Sequence, residues 1–101
     1  MNGDLLSTIQ EWYLRKCDGN WEHVNGVTVE SIDNPGWSVS ITGESSKLEK
    51  RIVIERSESD WVHIDASSNA FSAYGGAANL QELLQGAVDW LECAGEFKEG
   101  K

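Results

Sequence analysis

Lysine and arginine are absent from Cys17 to Ser46 and again from Ser57 to Phe97. Acids occupy the gaps: Asp18, Glu22, Glu30, Asp33 and Glu44 in the first stretch, then Glu58, Asp60, Asp65, Glu82, Asp89, Glu92 and Glu96 in the second. Eight basic residues against 17 acidic ones give a formal charge of −9, and half of the cations (Lys47, Lys50, Arg51, Arg56) fall in one short segment. A field of that sign repels nucleic acid and anionic lipid and draws in basic partners, so it argues against direct DNA or RNA binding.

Cysteine and proline are scarce as well. The two cysteines, Cys17 and Cys93, form neither a Cys-x-x-Cys pair nor a zinc spacing, which removes a disulfide framework and a structural zinc site from consideration. No apolar run approaches the ~18 residues that a membrane span requires. The start, Met-Asn-Gly-Asp-Leu-Leu, lacks the basic flank and apolar core of a signal peptide, and the expectation is a cytoplasmic protein without a membrane partner. No repeat is present beyond a small echo, Trp21-Glu22-His23 and Trp61-Val62-His63. What is there is 101 residues, 40% hydrophobic and with five tryptophans, which predicts one domain over residues 1–101 with a core large enough to need no staple.

Residues 4–16 carry Leu5, Leu6, Ile9, Trp12 and Tyr13 at helical spacing, with Asp4 to cap the start and Arg15 and Lys16 at the negative end of the dipole. Asp18-Gly19-Asn20 stops that helix. From Trp21 the period becomes two. Val27 and Val29 alternate with polar residues, as do Trp37, Val39 and Ile41 after the turn Asp33-Asn34-Pro35-Gly36. That turn reads as type II, with Pro35 at i+1 and Gly36 supplying positive φ at i+2, and it makes the flanking strands an antiparallel pair. Further strands are expected at Arg51–Arg56, Trp61–Asp65 and Ala70–Tyr74. A last helix from about Asn79 to Ala94 has Asn79 as its N-cap and Gly95 as its stop. The fold class is α+β: an antiparallel sheet of four to five strands flanked by an N-terminal and a C-terminal helix, both covering one sheet face and leaving the other wet.

Chemistry-bearing constellations are few. His23 and His63 each follow a tryptophan by two positions, so they could meet on one sheet face with Asp65, Glu22 or Cys17 and hold a metal or act as acid and base. No recognised ligand template is matched, and ordinary hydrogen-bonding histidines are the plainer reading. Gly75-Gly76 before a helix lacks the lysine of a P-loop and reads as a turn. No serine elbow is present, an enzyme is unsupported, and no cofactor is expected. A binding surface remains. Trp37 reads as inward and Trp61 as outward, with Trp21 undecided. Tryptophan ringed by acids is the composition of a hot spot for a basic protein. The candidate partner-binding residues are Trp21, Glu22, His23, Asp33, Asn34, Glu58, Asp60, Trp61, His63 and Asp65.

Four segments together carry a family likeness: Cys17-Asp18-Gly19-Asn20-Trp21-Glu22-His23, Asp33-Asn34-Pro35-Gly36-Trp37, Asp60-Trp61-Val62-His63, and Gly75-Gly76…Asn79-Leu80…Glu82 leading to Trp90. Over nearly its whole length the chain resembles the immunity protein 53 family. It departs at Asn20, where the pattern often has Asp, and at Ala77-Ala78 in the variable run after the glycines. The resemblance implies an immunity protein of a bacterial polymorphic toxin system, encoded beside a toxin and binding that toxin's C-terminal effector domain. Many such toxins attack nucleic acids through basic clefts, which an acidic plug would suit. An adaptor for a basic host protein, or a small metal-binding or catalytic protein using His23 and His63, are the other readings.

Overall fold

Asp4 starts the chain's first helix, α1 (Leu5–Lys16), by accepting hydrogen bonds on its carboxylate from the amides of Leu6 and Ser7 at 3.1 and 3.3 Å. Those amides have no partner inside the helix, which is why a short acceptor there sets the boundary. The Ser7 hydroxyl also donates to Asp4, and these bonds hold its carboxyl below the usual range. The structure, a computed structural model, describes residues 4–92. After α1 come α2 (Trp21–Val24), β1 (Val27–Ile32), β2 (Gly36–Thr42), β3 (Lys50–Glu55), β4 (Trp61–Ala66), β5 (Ala70–Gly75) and α3 (Leu80–Glu92). Cys93, Ala94 and Gly95, where the last helix was expected to end, lie outside the described residues.

The strands form a five-stranded antiparallel sheet in the order β1-β2-β5-β4-β3, with the helices on one face. The expected α+β arrangement is therefore the one found. On the helix side the register stacks Val39, Ala73 and Ile64 in one row and Ile41, Phe71 and Ala66 in the next. All six are buried, and α3 lays Leu83, Ala87, Val88, Trp90 and Leu91 across them. The Trp90 ring sits 5.7 Å from Phe71 and its indole N–H donates to the Ser67 carbonyl at 3.1 Å. Each large apolar side chain so buried contributes about 1.5–3 kcal/mol.

Three local expectations change. The period of two does not begin at Trp21: Trp21–Val24 is a short helix. Asp18 accepts from the amides of Asn20 and Trp21, both at 2.9 Å, while Glu22 reaches back to the amides of Asp18 and Gly19. These reciprocal bonds satisfy the helix start and leave both carboxyls below the usual range, Asp18 through Trp21 first and Glu22 through its own amide first. In the β1–β2 loop, where the Asn34–Pro35 peptide is cis, Gly36 has no positive φ, so the turn is not type II. Glycine is needed at 36 for another reason: a Cβ there would fall 2.3 Å from the Gly75 carbonyl oxygen. At the start of α3, the Asn79 side chain does not cap. Its amide donates to Asp60 at 3.0 Å and Glu82 at 2.6 Å, and its Oδ1 is buried without a partner.

The α1 stripe is also narrower than its spacing suggested. Ile9 and Trp12 are buried, whereas Leu6 and Tyr13 remain exposed. Beneath Trp12 lies a nearly buried carboxylate, Glu44, which accepts from the Trp12 indole and pairs with Lys16 at 3.2 Å and Lys47 at 3.8 Å. Lys47 also donates to the carbonyl of Leu91 in the last turn of α3, where a cation suits the helix dipole.

Candidate partner-binding surface

The sheet face opposite the helices is uncovered among the described residues. Strand register arranges it in two rows: Thr28, Ser40, Ser72, Asp65 and Arg51, then Glu30, Ser38, Tyr74, His63 and Val53. Trp61 stands beside the second row, opposite Glu55. Its ring meets that of His63 edge-on at 5.1 Å, and His63 Nε2 lies 2.9 Å from Glu55 Oε2. Tyr74 and Val53 are exposed. A shallow depression of about 470 Å³ is lined by Glu55, Ser57, Glu58, Trp61 and His63, and a smaller one beside it shares His63 and runs to Tyr74. The only lysine or arginine in this strip among the described residues, Arg51, is 4.0 Å from Asp65 with both side chains in solvent, a contact that holds little energy. The strip is thus half-exposed aromatic and apolar surface, with Glu30, Glu55, Glu58 and Asp65 at its margins.

The sequence-predicted residues fall into three places. Glu58, Trp61, His63 and Asp65 come together on this outer face, Trp61 outward as expected though half-buried by its neighbours. Asp33 and Asn34 occupy the β1–β2 loop at the same end of the sheet as Trp61. Asp60 is turned away into a clamp: Arg56 donates to it at 2.6 Å and to Glu82 at 2.7 Å, and Asn79 joins the two acids. Asn79 first and then Arg56 lower the Asp60 carboxyl, whereas Arg56 first and then Asn79 lower that of Glu82. Trp21, Glu22 and His23 lie on α2, on the helix side. The Trp21 ring packs edge-on against Trp12 at 5.4 Å and donates to the Gly43 carbonyl at 3.1 Å. Gly43 has φ +97° and no room for a Cβ, which would fall 2.3 Å from the indole nitrogen. Trp37 faces inward, as expected, and donates to Ala77 at 2.9 Å.

His23 and His63 do not meet: the first lines a groove between α1 and β1, the second the outer face. Among the described residues no three His, Cys, Asp or Glu side chains gather so as to hold a metal ion, and no helix is long and apolar enough to cross a membrane. Tyr74 and Glu55 were missed from the sequence, although strand alternation places both outward. The groove was missed too. It measures about 840 Å³ and is lined by Leu6, Tyr13, Val24, Val27 and Val29, among others.

Against known proteins, the model for the family described as immunity protein 53 matches residues 6–92 of the chain. No curated protein and no solved structure matches it.

Proposed function

The chain belongs to the immunity protein 53 family, and on that premise we propose that it protects a toxin-producing bacterium by binding the toxin's effector domain and blocking it. The family match along residues 6–92 carries this reading. The outer face supports its mode: Trp61, His63, Tyr74 and Val53 provide apolar contact, while the acids around them favour a basic partner. The toxin's functional groove is covered rather than chemically altered. A net charge of −9 concentrated outside the Lys47–Arg56 segment steers a cationic domain toward this surface. A toxin that cleaves nucleic acid, with a basic substrate cleft, fits the charge best.

The test is co-expression with the toxin encoded beside this gene, followed by purification and stopped-flow mixing. Growth is expected to be rescued, a stoichiometric complex to co-purify, and the association rate to fall about tenfold or more as salt screens the encounter. Absence of both rescue and complex would sink the proposal. A complex whose association ignores salt would sink its electrostatic part alone.

A further inference from the structure

Strand β1 ends the sheet and pairs only with β2 among the described residues. The Thr42 N–H donates to the Gly26 carbonyl at 3.0 Å. Antiparallel ladders alternate, so the backbone groups of Thr28, Glu30 and Ile32 point toward β2 and those of Val27, Val29 and Ser31 point outward, unpaired. The opposite edge is guarded: β3 carries Lys50, Arg51 and Glu55, the charges with which natural sheets discourage edge pairing. On β1 the sole charge is Glu30.

Beside the open edge, on the helix side, lies the 840 Å³ groove. Val24 is 81% exposed, Leu6 65% and Val29 44%, because α1 and α2 leave this part of the sheet bare. Open edge and apolar groove are continuous: residues opposite Val27 and Val29 on an added strand would sit over the groove, and residues opposite Thr28 and Glu30 would lie on the outer face.

We infer that β1 accepts an extended segment of the toxin as a sixth strand, in which apolar residues face the groove and a lysine or arginine lies beside Glu30. This rests on the toxin-binding reading above and names the element bound. Charge selects the occupant. A second copy of this chain would bring another −9 and would crowd Glu30 toward its own counterpart, whereas a basic strand is attracted. The added strand would also extend the row Glu30, Ser38, Tyr74 and His63, so a domain anchored on the edge is carried alongside the aromatic strip.

Hydrogen exchange on the chain alone and in complex with the toxin domain tests this directly. The amides of Val27, Val29 and Ser31 are expected to exchange fast in the free chain and to be protected in the complex. Val29→Pro removes only an outward N–H, a change that edge strands tolerate. It should raise Kd by about 30-fold or more. Val24→Asp, at a position in solvent, should weaken the complex with no change in melting temperature and so keeps the test sharp if the proline variant misfolds. A complex that forms normally with the Val27, Val29 and Ser31 amides unprotected, or with both variants binding as tightly as the original, overturns the inference and leaves toxin binding intact. Failure to form any complex overturns both, and β1-dependent dimerisation of the free chain would replace the basic strand with a second copy as occupant.

Discussion

Gly86 is a glycine in the middle of α3, where alanine would ordinarily be better by about 1 kcal/mol through helix propensity. Here the gain meets an obstacle. A Cβ at this position would lie 2.6 Å from Ile64 Cδ1, with Ile64 Cγ1 and Phe71 Cζ at an ordinary 3.8 Å. Favourable carbon contacts sit near ~3.5–4.0 Å, so the terminal methyl of Ile64 must move by about 1 Å in a core where that residue is 4% exposed. Overpacking of this kind costs about 1–3 kcal/mol, and Gly86→Ala should therefore destabilise by up to about 2 kcal/mol despite the better helix former. Ile64→Val deletes the offending methyl and should cost about 0.5–1.5 kcal/mol on its own through the small cavity. In that background the sign reverses: the methyl added at position 86 fills the space that Cδ1 left, and Gly86→Ala should stabilise by about 1 kcal/mol. Urea unfolding of the four proteins of the cycle, with slopes that stay constant, measures the coupling. Additivity within about 0.5 kcal/mol would refute the claim that the Ile64 methyl dictates glycine at 86.

The tryptophans should separate by face: Trp61→Ala is expected to weaken toxin binding by about 2 kcal/mol or more with an unchanged melt, whereas Trp90→Ala should destabilise the fold by about 3–5 kcal/mol, read by titrations and thermal melts side by side. Glu44→Ala should destabilise by about 3 kcal/mol, because Lys47 loses its counter-charge in a nearly buried place and the Trp12 indole loses its acceptor; urea midpoints check this. Acid should weaken the fold through the Asp60–Arg56–Glu82 clamp. Both carboxyls are depressed in the folded state, so their stabilisation is full above the ordinary carboxylate range near ~4 and is lost as pH falls through the folded values. Asn79→Ala, which removes the largest cause at Asp60 and the second at Glu82, should flatten that dependence in urea midpoints measured from about pH 6 to about pH 3.

Features held by neighbouring residues were legible in the amino-acid order. Asp4 marks the α1 start because a cap is local, and β2 and β4 announce themselves because one face is buried and the other wet. The Trp21–Val24 helix was not legible, since it is too short for a period and is held by side-chain bonds from Asp18 and Glu22 that turns also use. Alternation aimed Trp61 outward but could not aim Trp21, whose direction follows from where Gly43 and Trp12 come to rest. The groove depends on where α1 stops relative to β1, a tertiary spacing that leaves no trace in either segment. The strand order was equally hidden, because the pairing of Val39 with Ala73 joins residues far apart in the chain.

On the ribosome, β1 and β2 emerge as one ribbon and β3 and β4 as another, and in the finished sheet nothing but β5 joins the two. Among the described residues the suture is the last strand made. Until Gly75 has cleared the exit tunnel, Val39 and Ile64 have no common neighbour in Ala73, and the helix that lies over all three has yet to be translated. A stalled or truncated product is therefore expected to be a pair of loose ribbons rather than a smaller version of the whole, with the continuous outer face of the sheet coming into being in a single late step.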